Sequence, residues 1–245
     1  MTAVNSRVDV RHAGEYIIRH CQPGSGILEV GSGDGRLALE LSRKGYDVLA
    51  LDQSPDAIAA MRGLGIDVVE SDFLEFDGTG FDAVLFSRAL HHIHDVDRAM
   101  TNVEGLISPG GLVIVDDFDL AAMDEPTAIW FYGMASLLSA SGVISGLPES
   151  IPDDALQYWL DDHRHEPALL TRREMTEALE RRFQCHHEEA CPYLYRYLLG
   201  AFTSTQRQSQ IVALIHEWEI RLITGGAARA LGWRSVWKPR SPHLT

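Results

Sequence analysis

The chain has 245 residues, 45% hydrophobic and 23% charged, with a formal net charge of −14. That balance fits one sizeable globular α/β domain with an added cap, and no apolar run reaches the length of a membrane span. The negative charge argues against nucleic acid as substrate, since a polyanion needs a basic stripe and the basic runs here are short.

Val10, Ala13, Ile17 and Cys21 recur at helical spacing, so a leading helix is expected over residues 9–21, ended by Pro23-Gly24. The run Ile27-Leu28-Glu29-Val30 has strand character and enters Gly31-Ser32-Gly33-Asp34-Gly35. Such a turn lets a ligand approach the backbone, because glycine lacks Cβ and tolerates positive φ. The helix expected from Arg36 offers unpaired N–H groups to a polar ligand. Asp52 ends the next strand, nineteen positions after Gly33, where an acid is placed to grip the two hydroxyls of a ribose. Ser54-Pro55-Asp56 is a helix start with a serine cap and a proline in the first turn. Phe81–Ser87 reads as a strand. Val96, Ala99, Met100, Val103 and Leu106 form one face of an amphipathic helix, and Ser108-Pro109-Gly110-Gly111 turns into the buried strand Leu112–Val115. Alternating strands and helices predict a doubly wound, mostly parallel sheet.

The pattern changes after Asp117. Asp124-Glu125-Pro126 opens a segment that is apolar nearly all round through Leu138, and Pro152-Asp153-Asp154 opens another carrying Tyr158 and Trp159. The stretch reads as a helical insert over residues 118–170, serving as a substrate lid, an extra core layer or a dimer contact. The capping box Thr171-Arg172-Arg173-Glu174 restarts the regular pattern. Residues 184–198 and 231–238 read as two closing strands. Between them lies a helix with Ile211, Leu214, Ile215, Trp218 and Leu222 on one face. The expected organisation is a cofactor-binding half over 1–117, the insert over 118–170, and the remainder of the same domain over 171–245.

A dinucleotide fold wants G-x-G-x-x-G, but here Arg36 stands where the third glycine would fall. The E-V-G-S-G-D-G form resembles motif I of the class I S-adenosylmethionine-dependent methyltransferases. The likeness continues through Asp52, Ser71-Asp72-Phe73, Phe81–Ser87, Leu90-His91-His92-Ile93 and Ser108–Leu112. It implies a Rossmann-like sheet of seven strands with an antiparallel terminal strand, S-adenosyl-L-methionine as cofactor, and methyl transfer as the activity. By this resemblance Glu29 sits under the methionine end and favours its ammonium group, and the backbone of Gly31, Ser32 and Gly33 packs against the same end. Asp52 takes the ribose hydroxyls, with Gln53 beside the adenine. Asp72 and Phe73 hold the base, and Ser87 lies near the methionine moiety.

On the acceptor side, His91 and His92 follow the fourth strand at the carboxyl edge, where open α/β sheets bind ligands. Histidine titrates near neutral pH, so either residue is a candidate general base; the alternative is a histidine that packs and bonds to backbone. Some relatives bind a divalent metal there through E-x-x-E-H, but Arg88 and His91 occupy the two Glu positions, so no metal is expected. The expected acceptor is a small organic molecule, methylated on oxygen or nitrogen. Trp130, Phe131, Tyr132, Tyr158 and Trp159 suggest an aromatic or apolar one. Two rivals stay open: a non-methylating enzyme on the same cofactor fold, and a catalytically silent binding module. Cys21, Cys185 and Cys191 form no C-x-x-C pair, and Met1–Arg7 lacks the apolar core of a signal peptide. A cytoplasmic protein without membrane attachment, a homodimer among its options, is the expectation.

Overall fold

The computed structural model describes residues 8–163 and 169–240. Two compact units divide the chain: residues 1–117, 170–189 and 234–245 form the first, and 118–169 with 190–233 the second.

The first unit holds a seven-stranded sheet. Its strands are β1 (Gly26–Val30), β2 (Asp47–Asp52), β3 (Val68–Glu70), β4 (Phe81–Ser87), β5 (Ile107–Phe118), β6 (Phe183–Cys191) and β7 (Gly232–Pro239). Their order is β3-β2-β1-β4-β5-β7-β6, parallel as far as β5 and antiparallel across β5-β7-β6. This is the Rossmann-like arrangement expected from the sequence. The central strands β1 and β4 are nearly continuous apolar runs, because helices cover both faces of a parallel sheet. Ile27, Val48, Ala83, Leu85, Ile114 and Val236 from the sheet pack with Ala13 and Ile17 of α1 (Val8–His20), Ala38 and Leu41 of α2 (Arg36–Arg43), and Ile58 and Met61 of α3 (Pro55–Gly63). Polar caps set where the helices begin. Ser54 accepts from the Ala57 N–H at the start of α3, and Asp95 does the same for Arg98 at the start of α4 (Val96–Leu106). Thr171 and Glu174 close a reciprocal capping box at α7 (Arg172–Glu180).

The second unit contains α5 (Glu125–Ala140), α6 (Ala155–Asp162) and α8 (Gln208–Thr224). Phe131, Trp159 and Tyr197 meet edge-on, with ring centroids 5.1–6.0 Å apart, and Tyr132 meets Tyr158 at 5.1 Å. Trp159 is 1% exposed. Most of these rings therefore fill the interior of their own unit. Residues 190–233, which the sequence reading counts with the methyltransferase remainder, cluster with 118–169 instead.

Two expectations for this unit fail for one physical reason. The closing strand expected over 184–198 stops at Cys191, and a short 3-10 turn occupies Leu194–Leu198. The buried face of α8 is Val212, Ile215, His216 and Glu219, while Leu214 and Trp218 stand exposed. Glu219, with no exposed surface, accepts the backbone N–H groups of Tyr193, Leu194 and Tyr195 at 2.7–3.1 Å. Those donors lie at the start of the 3-10 turn, where Glu219 acts as a cap supplied from another element. A carboxylate with this task must face inward, and it rotates α8 away from the stripe that hydrophobicity alone selects.

Candidate active site

The glycine turn leaves β1 in the left-handed region, with φ 67° at Gly31 and 70° at Gly35. A side chain at Gly31 would bring its Cβ within 2.8 Å of the Ala89 Cβ. Glycine there lets the loop pass beneath the chain that leaves β4. Gly31 and Ser32 donate their N–H groups to the Leu51 carbonyl at 2.8 and 3.2 Å, and the Ser32 hydroxyl donates to the Glu29 carbonyl at 2.8 Å. The Gly33 N–H donates to Asp52 Oδ2 at 2.8 Å, while Ser54 N–H donates to Asp52 Oδ1 at 2.9 Å. Asp52 is thereby locked in one rotamer, and each oxygen keeps a lone pair for a ligand.

A cavity of about 440 Å³ opens beside this turn, a volume usual for a small-molecule site. Its lining joins Gly31, Asp52, Gln53, Asp72 and Phe73 with Arg88, His92 and His94. Asp72 Oδ1 accepts the Leu74 N–H at 2.8 Å and caps a short turn. Phe73 is buried edge-on against Phe86, centroids 5.3 Å apart, and forms a firm wall. Five of the eleven site residues read from the sequence lie outside that lining: Glu29, Ser32, Gly33, Ser87 and His91.

Glu29 is 2% exposed, and its Oε2 meets no hydrogen-bond donor. Burial pushes its carboxyl up to about 8, against the pull of the Arg88 charge and hydrogen bonds from Ser32 and the Ala38 backbone. A buried carboxyl with one unanswered oxygen, at the strand end below the glycine turn, suits a cationic ligand group. Ser87 is also buried, its hydroxyl 3.5 Å from Asp116 Oδ2. Asp116 Oδ1 in turn accepts from Arg234 Nε at 2.7 Å, a buried pair that joins β5 to β7.

The two histidines part company. His91 is 4% exposed, and its Nδ1 lies 2.6 Å from Asp117 Oδ1. His92 lines the cavity. Asp116, Asp117 and Arg234 escape the sequence reading, and Arg88 enters it only as the residue that breaks a metal pattern. The signal for the two acids is the pair Asp116-Asp117 ending a buried apolar strand, a position where open sheets gather polar groups. Arg88 carries no such signal: its φ of 56° appears only in the structure. Among the described residues, no group of three or more His, Cys, Asp or Glu is arranged to hold a metal ion, and no helix is long and apolar enough to cross a membrane.

Sheet order and the position of the glycine turn define a Rossmann-like methyltransferase fold. Residues 28–115 match the sequence model of the family described as methyltransferase domain. An uncharacterized methyltransferase of Mycobacterium tuberculosis is 39% identical over 101 residues, 38% of this chain and 50% of the relative. The ubiquinone biosynthesis O-methyltransferase of Sinorhizobium fredii is 36% identical over 100 residues, 38% of this chain and 40% of the relative. The chain thus spans about half the length, or less, of these curated relatives. Among solved structures, an S-adenosylmethionine-dependent methyltransferase from Mesorhizobium loti shares the fold with a TM-score of 0.59 and 20% identity, over 94% of this chain and 98% of its own. Residues 28–115 thus carry a methyltransferase domain, and the chain is similar to the class I S-adenosylmethionine-dependent methyltransferases in sequence over that stretch and in fold over most of its length.

Proposed function

We propose that this protein transfers a methyl group from S-adenosylmethionine to an oxygen or nitrogen of a small organic acceptor, with His92 as the group that takes the acceptor's proton. The observation that carries the reading is that Asp52, Asp72, Phe73 and His92 line one and the same cavity beside the glycine turn. When bound, S-adenosylmethionine supplies an already activated, electrophilic methyl group. The protein's task is then alignment and removal of a proton.

Asp52 offers two acceptor oxygens, fixed by Gly33 and Ser54, to a pair of ribose hydroxyls. Asp72, held by Leu74, offers its second oxygen to an exocyclic amine, and Gln53 and Phe73 flank the base. Glu29 answers the ammonium group, with the backbone of Gly31, Ser32 and Gly33 alongside. Ser87, tied to Asp116, stiffens the end of β4 close by. His92 in its neutral form accepts a proton from a hydroxyl or amine, which makes the acceptor nucleophilic. His91 serves this turn as support, since its ring faces Asp117. The small-molecule reading is supported by the net charge and by the relative named for ubiquinone biosynthesis.

The test is calorimetry with S-adenosylhomocysteine, followed by turnover on a panel of phenols, catechols and amines, with S-adenosylhomocysteine as the product followed. Binding with methylated product supports the proposal. Binding without product from any panel member, or conversion of the cofactor to something else, overturns it.

A further inference from the structure

Behind the cavity wall, His91 and Asp117 form a pair from which solvent is excluded, their side chains 4% and 0% exposed. Asp117 Oδ1 lies 2.6 Å from His91 Nδ1, and Asp117 Oδ2 accepts the His91 backbone N–H at 3.4 Å. One carboxylate therefore grips both the ring and the main chain of the same residue. The His91 carbonyl accepts the Leu170 N–H at 3.0 Å, and the His92 N–H donates to the Ala89 carbonyl at 3.1 Å. On this anchored ring rests the imidazole of His92, centroids 4.1 Å apart and planes at 44°.

We infer that Asp117 is a positioning residue: it fixes the His91 ring, and that ring holds the His92 imidazole at the cavity. The inference rests on the reading of His92 as the acceptor-side base. A carboxylate accepts and does not donate, so Nδ1 of His91 carries the hydrogen and the tautomer is set. The ring cannot turn about its Cβ–Cγ bond without breaking a short bond in a site without water to replace it. His92 stands exposed on its turn, where a side chain has more rotamers open to it than in a packed core. Contact with an immobile ring removes most of that freedom and keeps one nitrogen directed along one line. A proton acceptor works only in such a fixed relation to its donor.

The experiment is NMR of the full chain with isotopically labelled histidine, using S-adenosylhomocysteine as the probe. In the wild type, His91 should be the Nδ1–H tautomer with a low-field, hydrogen-bonded proton. A nuclear Overhauser contact should join the two rings, and the probe should shift the His92 signals. Asp117→Asn should lose the low-field proton and broaden His92, and the probe-induced shift should shrink. Affinity for the probe should stay within about threefold, because Asp117 lies outside the cavity lining. An Nε2–H tautomer for His91 in the wild type overturns the inference, as does a His92 that stays equally ordered in Asp117→Asn. Should that variant not fold, the wild-type tautomer and ring contact decide alone. Normal turnover by His92→Ala would sink the base reading, while the tautomer and ring contact would still report the anchoring by Asp117.

Discussion

Replacing Glu29 with Gln should make the protein more stable and its cofactor binding weaker. Both effects come from one buried oxygen. The carboxyl sits at about 8 in the fold against an ordinary 4.5, chiefly because burial penalises its charged form. At pH 7 the unfolded chain carries an ionised Glu29 and the folded chain a protonated one. Holding that proton 2.5 pH units above the ordinary value costs up to about 3 kcal/mol, at about 1.4 kcal/mol per unit. The sign follows from the raised value. No penalty exists below about pH 4.5; it grows as pH rises and is complete above about 8. Gln is neutral in both states, so the variant should melt about 5–10 °C higher at pH 7 and at the same temperature as wild type near pH 4.5. Binding has the opposite dependence. An ammonium group favours the ionised carboxylate, so wild-type affinity for S-adenosylhomocysteine should rise with pH through about 8, with release of a proton. The variant should release none and bind at least about tenfold more weakly at pH 8.5, the loss of one charged hydrogen bond. Scanning calorimetry across pH gives the stability, and titration calorimetry in buffers of different ionisation enthalpy gives the proton count. A variant that melts lower than wild type at pH 7, or binds equally well from pH 6 to 9, would refute the reasoning.

Three further outcomes test other parts of the molecule. Asp52→Ala removes the partner of the Gly33 and Ser54 N–H groups as well as two ligand-facing lone pairs; affinity for S-adenosylhomocysteine should fall at least about tenfold by calorimetry. His91→Ala should cost about 3–5 kcal/mol in denaturant unfolding, since it strands a buried carboxylate, whereas His92→Ala should change stability little and lower turnover by about 10²–10⁴-fold. Glu219→Ala leaves the N–H groups of Tyr193, Leu194 and Tyr195 without their acceptor; hydrogen exchange across residues 193–198 should accelerate, with S-adenosylhomocysteine affinity unchanged within about threefold.

The glycine turn and its acid were legible because their geometry is local. The glycines must sit where the chain turns in the left-handed region, and Asp52 must end the next strand, so spacing along the chain carries the geometry. Helix starts at Ser54 and Thr171 were legible for the same reason: a cap and its N–H lie within three residues. Other decisions needed partners far apart in sequence. His91 and His92 are adjacent and chemically identical; Asp117, brought alongside by β5, bonds the buried one, and the other lines the cavity. Hydrophobic periodicity chose the wrong face of α8, because it scores apolar burial and cannot see that Glu219 must reach three N–H groups some 25 residues earlier. The sequence by itself determined the mostly parallel, doubly wound sheet and the glycine turn that follows its first strand, since both follow from short-range patterns. Only the tertiary structure decided which polar side chains are buried and with whom, because a buried charge is set by the whole shell that removes its water.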